Sequence, residues 1–304
     1  MDADVVIVTW RSGERVLRCL ERLEDQDQPH TVWLVDNASG DGTVAAVRDC
    51  FPAVRVLELD SNVGFGAAVN AGVREGAGEA VVLVNDDVEL ENGALTALLR
   101  PLADPAVGMV AGLTTMPGSG VVDGFGIEVD VTLAPYNRLR GEPVGRATGV
   151  LLGPSGALAT YRRSAFEAVG GFDRRIFAYG EDVDLALRLR LAGWRAVAAE
   201  GARGVHVGGA SFGVDSPLQR RLSGFGRGFL LRRYGVLRSR HAPRALALEL
   251  LIVAVGIARG RTLAHVAGRV AGWRAATDRL ELPSDAVDRR ISTGEALRRL
   301  RSRR

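Results

Sequence analysis

Val81-Val82-Leu83-Val84 runs straight into Asn85-Asp86-Asp87. Four aliphatic residues, three of them β-branched, suit a strand covered on both faces, so two adjacent carboxylates emerge at its carboxyl end, where an open α/β sheet collects its chemistry. Carboxylates held that close repel one another unless something positive lies between them, and a divalent cation fills that need. Taken alone, Asp87 has a second reading as the cap of a helix from Asn92 to Arg100.

A second acidic group follows an aromatic, glycine-punctuated loop: Gly170-Gly171-Phe172-Asp173, then Tyr179-Gly180-Glu181-Asp182-Val183-Asp184-Leu185. Three carboxylates fall in the first turn of the helix predicted from Glu181 to Ala192. Unpaired amides and the helix dipole favour acids there, so two of the three have a structural reading. Glu181-Asp182 is equally a place for a general base, ionised and aimed from a fixed helix end; Asp184 is expected to support the fold or bind an Arg. Asp36 stands at another strand tip, before the turn-rich Asn37-Ala38-Ser39-Gly40-Asp41-Gly42-Thr43, and can accept hydrogen bonds from a base or ribose. Asn62-Val63-Gly64-Phe65-Gly66 allows close approach of backbone to ligand. It lacks the G-x-G-x-x-G spacing, which argues against NAD chemistry. In Gly204-Val205-His206-Val207-Gly208-Gly209-Ala210-Ser211 a lone histidine is either structural or a further ligand for a metal such as Mn2+.

The elements that must hold these groups alternate. Val5 to Thr9, Val32 to Val35, Val54 to Leu57, the Val81 run and Val107 to Leu113 read as strands, separated by helices near Val16 to Leu23, Thr43 to Cys50, Phe65 to Arg74 and Asn92 to Leu102. That pattern predicts a parallel sheet with helical crossovers. From Met116 to Gly153 the pattern breaks into glycines, prolines and short alternating runs, a loop or small hairpin over the sheet rim. Beyond Leu218 the chain reads as mostly helical. The apolar run Ala245 to Ala258, interrupted by Glu249, is too short to span a bilayer; packing, a dimer contact and an interfacial helix all fit it.

The chain has 304 residues and a formal charge of only +3. Divided after Ser216, it holds 19 Arg against 30 acidic residues in front and 20 Arg against 6 behind, net −11 and +14. An acidic front and a basic tail suggest chemistry first and attachment to something anionic second. Cys19 and Cys50 lack metal-type spacing and argue for buried thiols in a reducing compartment. The amino terminus has no basic, apolar signal, so a cytoplasmic protein is expected.

From Val5 to Ser211 these segments together resemble the family 2 inverting glycosyltransferases, particularly the rhamnosyltransferase-like branch. The matching pieces are Val6-Ile7-Val8-Thr9-Trp10, Val35-Asp36 to Thr43, Asn62 to Gly66 with Asn70, Leu83 to Asp87, and Gly170 to Asp173 leading to Tyr179 to Leu185. The resemblance implies a GT-A fold: a Rossmann-like, mostly parallel central sheet flanked by helices, over residues 1–216, with a nucleotide-sugar half at about 1–115 and an acceptor half at about 116–216. Residues 217–304 form the basic helical extension. It implies a nucleotide-diphosphosugar donor, dTDP-L-rhamnose first, and a divalent cation, Mn2+ or Mg2+. Thr9 and Asp36 would hold the pyrimidine end, Asn62 and Gly64 would join the donor-binding residues, and Asp86 would lie near the ribose. Asp87, supported by Asn85 where the family's D-x-D element often begins with Asp, would bind the metal, with His206 completing the site. Asp182 would be the base.

The acceptor is expected to be a glycan or lipid-linked precursor, with peripheral contact at an anionic inner membrane face and homo-oligomerisation left open and nucleic acid not expected. Two other readings compete. A nucleotidyltransferase would want a glycine-rich basic loop after the first strand, where Trp10-Arg11-Ser12-Gly13 offers one glycine and one Arg. A nucleic-acid-binding protein would work through the Arg-rich tail.

Overall fold

The computed structural model describes residues 1–145, 149–208, 215–259 and 263–301. Gly209, Ala210 and Ser211 of the histidine motif and the last three residues lie outside them.

The aliphatic runs become strands and the 3.6-residue patterns between them become helices. The order is β1 (Ala3–Thr9), α1 (Glu14–Glu24), β2 (His30–Asp36), α2 (Thr43–Cys50), β3 (Arg55–Glu58), α3 (Phe65–Glu75) and β4 (Ala80–Val84). These four strands pair in parallel in the order β3-β2-β1-β4. Successive residues of β1 point to opposite faces: Val5 and Ile7 pack with Val16, Leu20 and Leu23 of α1, whereas Val6 packs with Val69 and Val73 of α3. Burial on both faces explains why β1 from Val5 and all of β4 read as unbroken apolar runs.

After β5 (Val88–Leu90), α4 (Ala94–Leu99) and β6 (Val107–Thr115), the irregular segment forms β7 (Val122–Gly124), β8 (Ile127–Val129) and β9 (Pro135–Asn137). β8 and β9 make the small antiparallel pair anticipated over the rim. Next come β10 (Leu158–Arg162), α5 (Arg163–Ala168), α6 (Glu181–Leu191) and β11 (Arg195–His206). Here the structure corrects the expected run of five parallel strands: β10 inserts antiparallel between β4 and β6. The main sheet therefore runs β3-β2-β1-β4-β10-β6-β11-β5, mostly parallel but mixed. β10 has no strand signature in the sequence, because Leu158-Ala159-Thr160-Tyr161 is buried on both faces and carries no alternation.

Two further corrections concern side chains. Cys19 is buried, but Cys50 is exposed at the end of α2. Asp87 does not cap α4, because β5 intervenes and Gly93, with φ 78°, precedes the helix.

The basic region contributes α7 (Pro217–Arg233), α8 (Ala242–Ala258), α9 (Ala264–Ala275) and α10 (Thr293–Arg301). Ser216 caps α7 by accepting the Gln219 amide at 3.1 Å. α7 lies against the loop that leads into α6, so closely that a β-carbon on Gly226 would fall 1.8 Å from the Tyr179 carbonyl oxygen. Ion pairs fasten the region to the front of the chain: Arg233 reaches Asp173 and Asp184, and Arg244 reaches Asp130. No helix among the described residues is long and apolar enough to cross a membrane.

Candidate active site

β1, β2 and β4 run in parallel, so their carboxyl ends deliver Thr9, Asp36 and the Asn85-Asp86-Asp87 turn to one edge of the sheet. Thr9 and Asp36 are register partners on neighbouring strands. Asp36 is buried; its Oδ2 accepts the Ser39 amide at 3.1 Å, while its Oδ1 has no partner. The Thr9 hydroxyl is fully buried and makes no hydrogen bond of normal geometry, although it lies close enough to Asp86 to favour that carboxylate's charged form. Leaving such atoms unpaired costs about 1–3 kcal/mol each, so adjacent orphans at a strand edge mark a place where a ligand supplies hydrogen bonds.

Asn62 and Gly64 shape the neighbouring loop from within. Asn62 Oδ1 accepts from Asn37 Nδ2 and from the Gly64 amide, both at 3.0 Å. The room left by the missing side chain of Gly64 is taken by the chain itself, since a β-carbon there would lie 2.3 Å from the Phe177 carbonyl oxygen. Asn70 ties α3 to the Gly171-Phe172 turn by donating to the Phe172 carbonyl at 2.8 Å and accepting its amide at 2.9 Å.

Asp86 turns toward β1 and accepts the Ser12 hydroxyl. Burial raises its pKa, opposed by that hydroxyl and reinforced by the charge of Asp87. Asp87 turns toward β11, where His206 Nε2 lies 3.1 Å from its Oδ1, off the line of a hydrogen bond. On the other side of the ring, His206 Nδ1 is 2.7 Å from Asp123 Oδ2. Burial works against charge on the imidazole, but the two carboxylates prevail and raise its pKa to about 10.

A carboxylate on Nδ1 fixes the ring and leaves Nε2 directed at Asp87, an orientation in which a cation could take the place of the ring proton between Nε2 and that carboxylate. Among the described residues no group of three or more His, Cys, Asp or Glu side chains is placed to hold a metal ion. Asp87 and His206 thus fit a cation that takes its remaining oxygens from a ligand and water. Asp123 was not foreseen as part of the site.

The histidine opens into a cavity of about 200 Å³ whose lining includes Asn85, Asp123, Asn137, Gly156, Glu181 and Asp182. Two carboxylates on the same helix have opposite surroundings there. Asp184 is fully buried and neutralised by Arg188 at 2.8 Å and Arg233 at 3.0 Å, with the Tyr234 hydroxyl donating at 3.0 Å. Asp182 is half-buried and accepts its neighbour's amide, from Val183, at 2.8 Å. No ion pair reaches it among the described residues. Burial raises its pKa against the pull of the Val183 and Gly156 amides. Glu181 is buried with Oε2 unpartnered, and burial together with the charge on Asp182 lifts its pKa to about 8.

The sequence pattern of glycosyl transferase family 2 matches residues 4–170. An N-acetylglucosaminyl-diphospho-decaprenol L-rhamnosyltransferase of Mycobacterium tuberculosis is 36% identical over 242 residues, which cover 69% of this chain and 78% of that protein. The chain belongs to glycosyl transferase family 2. This glycosyltransferase also shares its fold with solved enzymes of low sequence identity. A mannosyltransferase from Pyrobaculum calidifontis, solved with GDP-Man and Mn2+, superposes with a TM-score of 0.58 at 21% identity over 90% of this chain and 85% of its own. S. aureus TarS superposes with a TM-score of 0.54 at 20% identity, over 76% and 40%. The glycosyltransferase is thus of the GT-A type, with a mixed central sheet between helical layers. Asp182 and His206 lie beyond the matched segment 4–170, and it is the cavity that joins them to the motifs inside it.

Proposed function

We propose that this glycosyltransferase transfers L-rhamnose from dTDP-L-rhamnose to a hydroxyl of an N-acetylglucosaminyl-diphospho-polyprenol, with inversion at the anomeric carbon. The observation that carries the reaction type is the cavity in which Asp182 shares a wall with His206 while Asp87 stands behind the imidazole. The M. tuberculosis relative supports the choice of donor sugar and acceptor.

Thr9 Oγ1 and Asp36 Oδ1, buried and unpaired, are the atoms that would receive the pyrimidine base. Asp86 would stand near the ribose, and Asn62 and Gly64 would hold the loop beside it. Asp87 and His206 would hold a divalent cation, Mn2+ or Mg2+, with Asp123 fixing the ring; when bound, the cation offsets charge on the departing diphosphate. Asp182 removes the proton from the acceptor hydroxyl as that oxygen attacks the anomeric carbon on the face away from the diphosphate. Burial keeps Asp182 more basic than an exposed carboxylate, which suits this task. Burial raises both Glu181 and Asp182, and the charge of Asp182 adds to the rise at Glu181, so the pair resists carrying two negative charges at once.

The nucleotidyltransferase alternative is disfavoured by the chain's own residues, since the loop after β1 turns its Ser12 hydroxyl onto Asp86 instead of presenting amides to a triphosphate. The test is incubation with dTDP-L-rhamnose and a short-chain N-acetylglucosaminyl-diphospho-polyprenol, with Mn2+ or Mg2+ and with chelator. One rhamnose added per acceptor, lost with chelator, is expected. Transfer from UDP-N-acetylglucosamine but not from dTDP-L-rhamnose would overturn the choice of donor.

A further inference from the structure

Helices on a water-facing surface point charged residues outward and apolar ones inward. α8 does the reverse. Its exposed positions are Pro243, Leu246, Ala247, Leu250, Leu251, Ala254, Ile257 and Ala258, a stripe at helical spacing without one polar side chain. Its charged residues face the protein: Arg244 donates to Asp130 at 3.0 Å and to the Ile291 carbonyl at 2.9 Å. Glu249 accepts from Arg227 at 2.6 Å and from Arg269 at 2.5 Å. α9, tied to α8 by the Arg269–Glu249 ion pair, adds Leu263 just before it and Val270 and Trp273 along it, all exposed. Of the twelve large apolar side chains exposed among the described residues, seven lie on α8, on α9 or at the turn between them, so the feature is a patch and not scatter.

The surroundings of the patch say what covers it. Arg238 and Arg240 precede α8, Arg259 follows its last turn, and Arg274 stands beside Trp273, all exposed. They belong to a region carrying 20 Arg against 6 acidic residues. Apolar side chains rimmed by arginines, with a tryptophan at the edge, match a layer whose interior is hydrocarbon and whose surface is anionic. Seventeen residues of α8 make a rod of about 26 Å, below the roughly 30 Å of a hydrocarbon core. The helix therefore lies along a bilayer and does not cross it.

We propose that the exposed face of α8 and α9 is a docking surface for an anionic membrane, with Leu246, Leu250, Leu251 and Ile257 entering the headgroup boundary and Arg259 and Arg274 pairing with lipid phosphates. The proposal goes beyond the reaction proposed above and does not depend on it. α7 connects this surface to the catalytic cleft, because it packs against α9 on one side and against Tyr179-Gly180, just before Asp182, on another.

The test is co-sedimentation of the full chain with phosphatidylcholine vesicles, with and without phosphatidylglycerol, at low and high salt. The chain is expected to bind the anionic vesicles and to bind less at high salt. Leu246→Glu with Leu250→Glu lowers the partition by roughly 100-fold; Arg259→Gln with Arg274→Gln lowers it about tenfold on anionic vesicles only. Should the glutamates disturb folding, Leu250→Ala with Ile257→Ala keeps good helix formers and still loses about tenfold or more. Each variant should retain transfer to a water-soluble acceptor analogue, so vesicle binding and the reaction are read separately. Unchanged partition of these variants, or absence of binding at low salt, overturns the proposal. So does a stable dimer that Leu250→Glu converts to monomer, which would assign the face to a second copy of the chain.

Discussion

At the tips of β1 and β2 the chain buries polar atoms that make no normal hydrogen bond, and along α8 it exposes apolar side chains that have no partner. Both regions are badly matched to plain water, in opposite senses. In the proposed function the strand tips receive a polar ligand, and in the proposed docking the helix face meets an apolar layer outside the molecule. Asp182 and Asp184 repeat the contrast within one turn of α6: the inner carboxylate is neutralised by Arg188 and Arg233, whereas the one facing the cavity is left with backbone amides. The proposed base differs from its structural neighbour less in type than in which of its partners is missing.

The comparison breaks most visibly at Asp182. Asp182→Asn should lower kcat by roughly 10²–10⁴-fold with donor affinity nearly unchanged, read from initial rates together with donor titration. A near-normal rate would move the base elsewhere. Next in size is the support of the imidazole. Asp123→Asn should raise the Mn2+ concentration needed for half-maximal activity by about 10–100-fold, and an unchanged requirement would detach His206 from metal binding. The seam between the two regions is tested by Gly226→Ala, whose new methyl collides with the Tyr179 carbonyl. A loss of about 1–3 kcal/mol is expected in denaturant unfolding; no loss would mean that α7 does not press on the loop before Asp182.

A pH dependence follows from Glu181. Its pKa in the folded chain is raised to about 8, so the folded state keeps a proton that the unfolded state releases at an ordinary carboxylate value. Stability from this group is therefore present at low pH and is lost progressively as pH rises from about 4.3 toward 8. Glu181→Gln removes that dependence, and its thermal midpoint should fall less than the parent's over the window. Parallel midpoint curves would show that Glu181 is ionised when folded.

Much of this was legible in the sequence because the first four strands are short aliphatic runs ending in polar residues, and a parallel sheet turns such ends to one edge. β10 and β11 were not legible. The first has no alternation, and the second, Arg195 to His206, is rich in alanine and glycine and shifts register twice between Arg195 and Arg203. Missing them hid the partner of His206. Asp123 is 83 residues away along the chain, and the two meet because β7 and β11 both pair with the last residues of β6. The apolar run of α8 was visible as composition, but which side faced outward depended on where Arg227, Arg244 and Arg269 went, and only the packed structure places them.

When a single base takes the acceptor proton as that oxygen attacks opposite the departing diphosphate, the anomeric carbon must invert. The most direct test is the anomeric configuration of the first product formed from dTDP-L-rhamnose and the lipid-linked acceptor, read by proton–carbon coupling in NMR. The account predicts a rhamnoside of configuration opposite to that of the donor; a product of retained configuration would contradict it.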